Sequence, residues 1–197
     1  MDNYSTLIKN KDYIIIELGP GDIKCCKEAI TIDKVKKESV DIIHDINLGF
    51  DFISSESVDE IHAYHVIEHV DNIEYLMKEF YRILKRNGRV FLSVPHFSNP
   101  YFYSDYTHKT MWGLYSFCYF SKQQYFKRSV PKYYNDVNFE IVNIKIKFKS
   151  PFIIRNKFKK LLEKIFNFNK FLQEFFEENL VYIFPAYEIY VEMIKND

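Results

Sequence analysis

Tyr13-Ile14-Ile15-Ile16-Glu17-Leu18-Gly19-Pro20-Gly21 is the stretch on which the fold turns. A short, nearly continuous apolar run stopped by a glycine-proline-glycine turn is the pattern of a strand buried on both faces. Working outward, Ile30 to Asp33 and Val40 to Ile43 repeat that pattern, the first ending in a carboxylate and the second at His44-Asp45. Val58 to Tyr64 predicts a fourth strand. A helix follows, with Ile73, Leu76, Met77, Phe80, Ile83 and Leu84 on one face. Asp71 is its expected N-cap with Glu74 three residues on, and Lys85, Arg86 and Gly88 its expected basic last turn and left-handed stop. Arg89 to Val94 predicts a fifth strand, closed by Pro95. Strands alternating with helical connections predict a parallel sheet covered on both faces.

The pattern changes downstream. Phe97 to Phe120 is aromatic and polar without clear periodicity, which predicts a loop or short helices over a site. Ile144, Ile146 and Phe148 alternate with Lys145, Lys147 and Lys149, predicting a strand with one wet face near a sheet edge. A helical stripe runs from Ile154 to Glu178, interrupted at Asn167-Phe168-Asn169, and Ile189 to Ile194 predicts a last strand.

The chain has 197 residues, a length suited to one domain, and is 47% hydrophobic with 18% aromatic residues, enough to build a packed core. Lys+Arg and Asp+Glu balance at 27 each, so no global charge draws the protein to phosphates and nucleic acid is not an expected partner. Cys25 and Cys26 are adjacent and Cys118 is isolated, which fits no disulfide framework and suits a reducing compartment. The N-terminus lacks a basic start followed by a long apolar run, and no stretch reaches the roughly 20 apolar residues of a membrane span. A cytoplasmic protein, monomeric or homodimeric, is expected. The basic stretch from Arg155 to Lys164 could meet an anionic membrane or a lipid-linked substrate, but a core stripe backed by solvated lysines is the preferred reading.

The strand tips carry the chemistry. A glycine turn at the end of the first strand lets backbone approach a ligand closely. Asp33 at the second tip can accept hydrogen bonds from ribose hydroxyls, and Asp45 at the third can accept from an adenine amino group. These tips converge on one crevice, which makes them a nucleoside site rather than scattered surface carboxylates.

Those residues resemble the class I S-adenosylmethionine-dependent methyltransferases, in particular the small bacterial group related to methyltransferase type 11. Glu17-Leu18-Gly19-Pro20-Gly21 looks like that family's first motif, Asp33 like its ribose-binding acid, and Asp45-Ile46 like its adenine-binding pair. His65-Val66-Ile67-Glu68-His69 is similar to the family's H-x-x-E-H stretch, and Leu84 to Arg89 resembles its L-K-P-G-G turn. The resemblance implies an α/β, Rossmann-like seven-stranded sheet, mostly parallel, with helices on both faces and the last strand antiparallel. It implies one methyltransferase domain over 1–197, with a cofactor core at 13–94, a substrate-covering region at 95–135 and C-terminal strands with a covering helix at 136–197. S-adenosylmethionine is the implied cofactor, held by Glu17, Leu18, Gly19, Pro20, Gly21, Asp33, Lys34, Asp45, Ile46 and His65.

Ile23 stands where a third glycine is usual, and few residues separate Gly21 from the second strand, so the first helix must be shortened. On the acceptor side, Pro95-His96-Phe97 and Asp105-Tyr106-Thr107-His108 are similar to a recurring pair in the subgroup. They make His96 or His108 the expected general base, with Asp105 orienting a histidine. The implied reaction is methyl transfer to a small molecule, with a hydroxyl of a sugar or related metabolite as the expected acceptor. A non-catalytic cofactor-binding module is the alternative. His65, Glu68 and His69 also fit a zinc-peptidase helix, a weaker reading because a strand runs straight into them. No spacing marks a metal site, and none is expected.

Overall fold

The computed structural model describes residues 2–8 and 11–196. Each apolar run with a polar tip forms a strand: β1 (Ile15–Leu18), β2 (Ile30–Asp33), β3 (Ile42–Ile43), β4 (Val58–Tyr64) and β5 (Leu84–Pro95). A helix α1 (Asp2–Ile8) precedes them, and α2 (Ile73–Ile83) joins β4 to β5. The alternating lysine segment lies in β6 (Phe139–Lys147) up to Lys147, with Phe148 and Lys149 just past its end. Helices α3 (Ile153–Phe166) and α4 (Lys170–Phe175) follow, and β7 (Glu188–Lys195) ends the fold.

The strands make one seven-stranded sheet in the order β3-β2-β1-β4-β5-β7-β6. Strands β1 to β5 are parallel, and β7 runs antiparallel to both β5 and β6. The chain works outward from β1 to β3 and returns to place β4 on the other side of β1. Strand order therefore reverses between β1 and β4, and the crevice at their carboxyl ends is where such sheets take ligands. As its alternation predicts, β6 is an edge strand.

One sheet face is apolar and deeply packed. Ile16, Leu18, Ile32, Ile61, Leu92 and Val191 on that face share one buried cluster with Phe80 of α2, Leu162 of α3 and Tyr4 of α1. The other face is polar and half-buried. There His62 stacks on Phe91 with ring centroids 4.6 Å apart, and Arg89 Nη1 lies 2.7 Å from Glu192 Oε1. The crossover explains the asymmetry: residues 19–29 contain turns and bends but no helix, so the expected shortening removes the first helix entirely.

Three local expectations are corrected. Asn72, not Asp71, caps α2, its Oδ1 accepting from Tyr75 N at 3.0 Å, while Asp71 pairs with Lys109. The helix stops at Ile83 because Leu84 is already extended, and Asn87 rather than Gly88 has the left-handed φ of 61°. Gly88 is needed for close approach instead, since a Cβ there would lie 2.9 Å from the Lys85 carbonyl oxygen. The third strand is shorter than expected, keeping only Ile42–Ile43 of the run from Val40.

Candidate functional site

The carboxyl ends of β1 to β4 open onto a cleft of about 630 Å³. Gly19 and Gly21 form its floor, Asp33 and Lys34 flank one side, and Asp45, Ile46 and Asn47 follow β3. His65, Val66 and His69 come from the end of β4, and Tyr106, Thr107 and Lys109 from the long loop after β5. Seven of the expected cofactor residues thus share one wall system: Gly19, Gly21, Asp33, Lys34, Asp45, Ile46 and His65.

Glu17, Leu18 and Pro20 lie behind the cleft rather than in it. Leu18 is core. The buried Glu17 carboxylate accepts from Cys25 N at 2.9 Å and Cys26 N at 3.1 Å, taking up backbone donors that a crossover helix would otherwise have satisfied internally. Ser39 Oγ donates to the Gly21 carbonyl at 2.6 Å and holds the turn. Gly19 and Gly21 have φ of 59° and 64°, a region glycine enters freely. A Cβ on Gly21 would meet nothing within 4 Å, so the turn presents bare backbone to open space.

Asp33 uses Oδ1 to accept from Val35 N at 2.9 Å. Asp45 caps the short helical turn Ile46–Leu48, and both of its bonds from Asn47 go to Oδ1. The Asn47 backbone N–H holds the Asp45 carboxyl below the usual range, so it is ionised at neutral pH. His65 has a φ of 58°, unusual for a residue with a side chain, and its Nε2 lies 2.9 Å from Glu188 Oε2. The Glu188 carboxylate, and after it Glu68, raises the His65 pKa to about 9, making this imidazole a cation facing the cleft at neutral pH.

The acceptor-side histidines part company. His96 is fully buried and outside the cleft, its Nδ1 accepting from Ser98 N at 3.0 Å and its Nε2 lying 3.1 Å from Glu177 Oε2. Glu177 also accepts from Leu114 N, so His96 ties the end of β5 to residues 114 and 177. His108 stands one layer behind the cleft, its ring 4.8 Å from that of His69 and 4.7 Å from Phe102. His69, named in the sequence only as part of the H-x-x-E-H stretch, lines the cleft.

A relay ends on His69. Thr107 Oγ1 donates to Asp105 Oδ1 at 2.6 Å and lies 2.9 Å from His69 Nδ1. Asp105 is held ionised chiefly by that Thr107 hydroxyl. The sequence signal for His69 was the H-x-x-E-H spacing, but its partners come from a loop nearly 40 residues away. No helix contains both His65 and His69, because His65 is left-handed and only a short turn, Ile67–His69, follows. The zinc-peptidase geometry is therefore not formed.

The family description "Methyltransferase domain" matches residues 7–144, most of the chain. The chain belongs to the methyltransferase domain family. Among solved structures, this methyltransferase domain is similar to a SAM dependent methyltransferase from Archaeoglobus fulgidus, at 16% identity and a TM-score of 0.57, covering 98% of this chain and 90% of that one. It is similar to YcgJ from Bacillus subtilis, at 14% identity and a TM-score of 0.54, covering 100% and 99%. It also aligns with Haemonchus contortus phosphoethanolamine N-methyltransferase 2 in complex with S-adenosyl-L-methionine, at 14% identity and a TM-score of 0.55, over the whole of this chain and 52% of that one. No curated protein matches the chain. No helix among the described residues is long and apolar enough to cross a membrane.

Proposed function

We propose that this methyltransferase domain uses S-adenosylmethionine to O-methylate a small hydroxylated molecule, such as a sugar or related metabolite, in the cytoplasm. The observation that carries the reading is the single cleft shared by Gly19, Asp33, Asp45 and His65 at the strand-order reversal. The residues fit the cofactor. The open backbone at Gly21 leaves room for a ligand against the turn, two carboxylates stand where hydroxyl and amino donors need acceptors, and the His65 cation suits a carboxylate. When bound, S-adenosylmethionine supplies an electrophilic methyl group.

The chain's own residues divide the remaining work. Asp33 holds the ribose, with Lys34 beside it, and Asp45-Ile46 holds the adenine. Gly19 to Gly21 pass beneath the ligand, and His65 orients its amino-acid end. Tyr106, Thr107 and Lys109 border the cleft on the side of the loop after β5. On the acceptor side His69 activates the hydroxyl, with His108 packed against it and Asp105 orienting His69 through Thr107. His96 acts by holding the frame, given its buried and fully engaged ring.

Release of S-adenosylhomocysteine across a panel of hydroxylated acceptors tests the activity. Once an acceptor is found, His69→Ala should lower turnover by about 10²- to 10⁴-fold, the range for lost acid–base assistance, with cofactor affinity intact. Undiminished turnover in that variant would remove His69 from the chemistry.

A further inference from the structure

Glu68 is the anomaly beside the cleft. Its side chain is fully buried, and neither carboxylate oxygen has a hydrogen-bond partner. The His65 cation forms an ion pair with it through Nδ1 at 3.6 Å and His69 Nε2 lies 4.0 Å away, both too far for a good hydrogen bond. Burying a carboxylate whose oxygens accept no hydrogen bond costs several kcal/mol, by the order of magnitude for buried ions, and one long ion pair offsets only part of it. The backbone around it is well organised, since the Glu68 carbonyl accepts from Lys109 N at 2.8 Å and Thr110 N at 3.2 Å. Those bonds bring His108 onto the same spot.

Both imidazoles are already turned to bind. His108 Nδ1 lies 2.9 Å from the Phe102 carbonyl, which only accepts, so Nδ1 donates, and Nε2 is left without a short hydrogen bond, 3.7 Å from Asp105 Oδ2. His69 Nδ1 meets the Thr107 carbonyl at 3.3 Å and Thr107 Oγ1 at 2.9 Å. The Thr107 hydroxyl proton is committed to Asp105, so His69 Nδ1 donates and its Nε2 faces Glu68 Oε1 at 4.0 Å. A carbonyl or hydroxyl fixing Nδ1–H while Nε2 points inward is how proteins orient histidines for metals. One ligand atom from each of Glu68, His69 and His108 lies within 4.8 Å of the others. The ligand separation around a tetrahedral ion with 2.1 Å bonds is about 3.4 Å, so binding draws the three groups together.

We infer that Glu68, His69 and His108 form a divalent-cation site in the wall of the cleft, resting on the methyltransferase reading of that cleft. Two imidazoles and one carboxylate suit Zn²⁺, Mn²⁺ or Co²⁺ better than Mg²⁺ or Ca²⁺, whose preferred ligands are all oxygen. Three protein ligands leave a position for the acceptor oxygen. With Nε2 on the cation, His69 and His108 act through it rather than as bases, and the cation lowers the pKa of the bound hydroxyl. The hydroxyl proton leaves to water, the oxygen–methyl bond forms as the methyl–sulfur bond breaks, and that electron pair stays on sulfur.

The test is calorimetric titration of the tag-free, chelator-stripped full chain with MnCl₂ and with ZnCl₂, alongside melting with and without each salt. One equivalent should bind and raise the melting temperature. Glu68→Gln and His108→Ala should each weaken binding by at least about tenfold, the scale at which even supporting groups tell, and lose the melting shift. His62→Ala, on the open sheet face, should bind as the parent does. Absence of stoichiometric binding in the parent, or equal binding in Glu68→Gln while it melts cooperatively, overturns the site. S-adenosylhomocysteine binding measured on the stripped protein separates the two readings: if it persists without cation binding only the metal site fails, and if it is absent the methyltransferase reading fails first.

Discussion

The Gly19→Val variant is expected to lose about 2–5 kcal/mol of stability, combining a left-handed backbone forced on a branched residue with overpacking. Gly19 has a φ of 59°, and a Cβ built there would lie 2.4 Å from Val66 Cγ2. Val66 can give only by moving, and it lines the same cleft. Stability and cofactor affinity should therefore fall together, as read by denaturant unfolding and calorimetry. Gly21→Ala is the contrast: its φ of 64° carries backbone strain, but open space surrounds the added methyl, so about 1 kcal/mol is the expected cost. Equal stability of the two variants would show that the turn does not approach β4's end as described.

Asp33→Ala is expected to weaken S-adenosylmethionine binding by roughly 1–3 kcal/mol, about five- to 150-fold, the scale of losing charge-assisted hydrogen bonds. The fold should survive, because the side chain's local role is one bond from Val35 N on the protein surface. Calorimetry at constant ionic strength checks the affinity and thermal melting the fold. Unchanged affinity would remove Asp33 from the ribose position.

Much of this was legible in the residues because parallel strands advertise themselves. Buried strands such as Ile30–Asp33 must be apolar along their length and polar where they emerge, so strand and candidate ligand residue are read from the same stretch. Edge strand β6 announced itself by Lys145 alternating with Ile144 and Ile146. What stayed hidden depends on partners distant in the chain. Asn72 rather than Asp71 caps α2 by a one-residue choice that local preference does not decide. Glu17 sits in the glycine motif yet turns toward Cys25 and Cys26, which matters only because no helix follows. His96 and His108 look alike as loop histidines. Glu177, some 80 residues on, claims the first, while backbone bonds to Glu68 set the second against His69.

The central claim is that the carboxyl ends of β1 to β4 form one adenosyl-binding cleft, and a crystal structure of the chain with S-adenosylhomocysteine tests it most directly. The ribose hydroxyls should lie on the Asp33 carboxylate, the adenine against Asp45-Ile46 and the amino-acid end beside His65. A nucleoside bound away from Gly19, Asp33 and Asp45 would contradict the account.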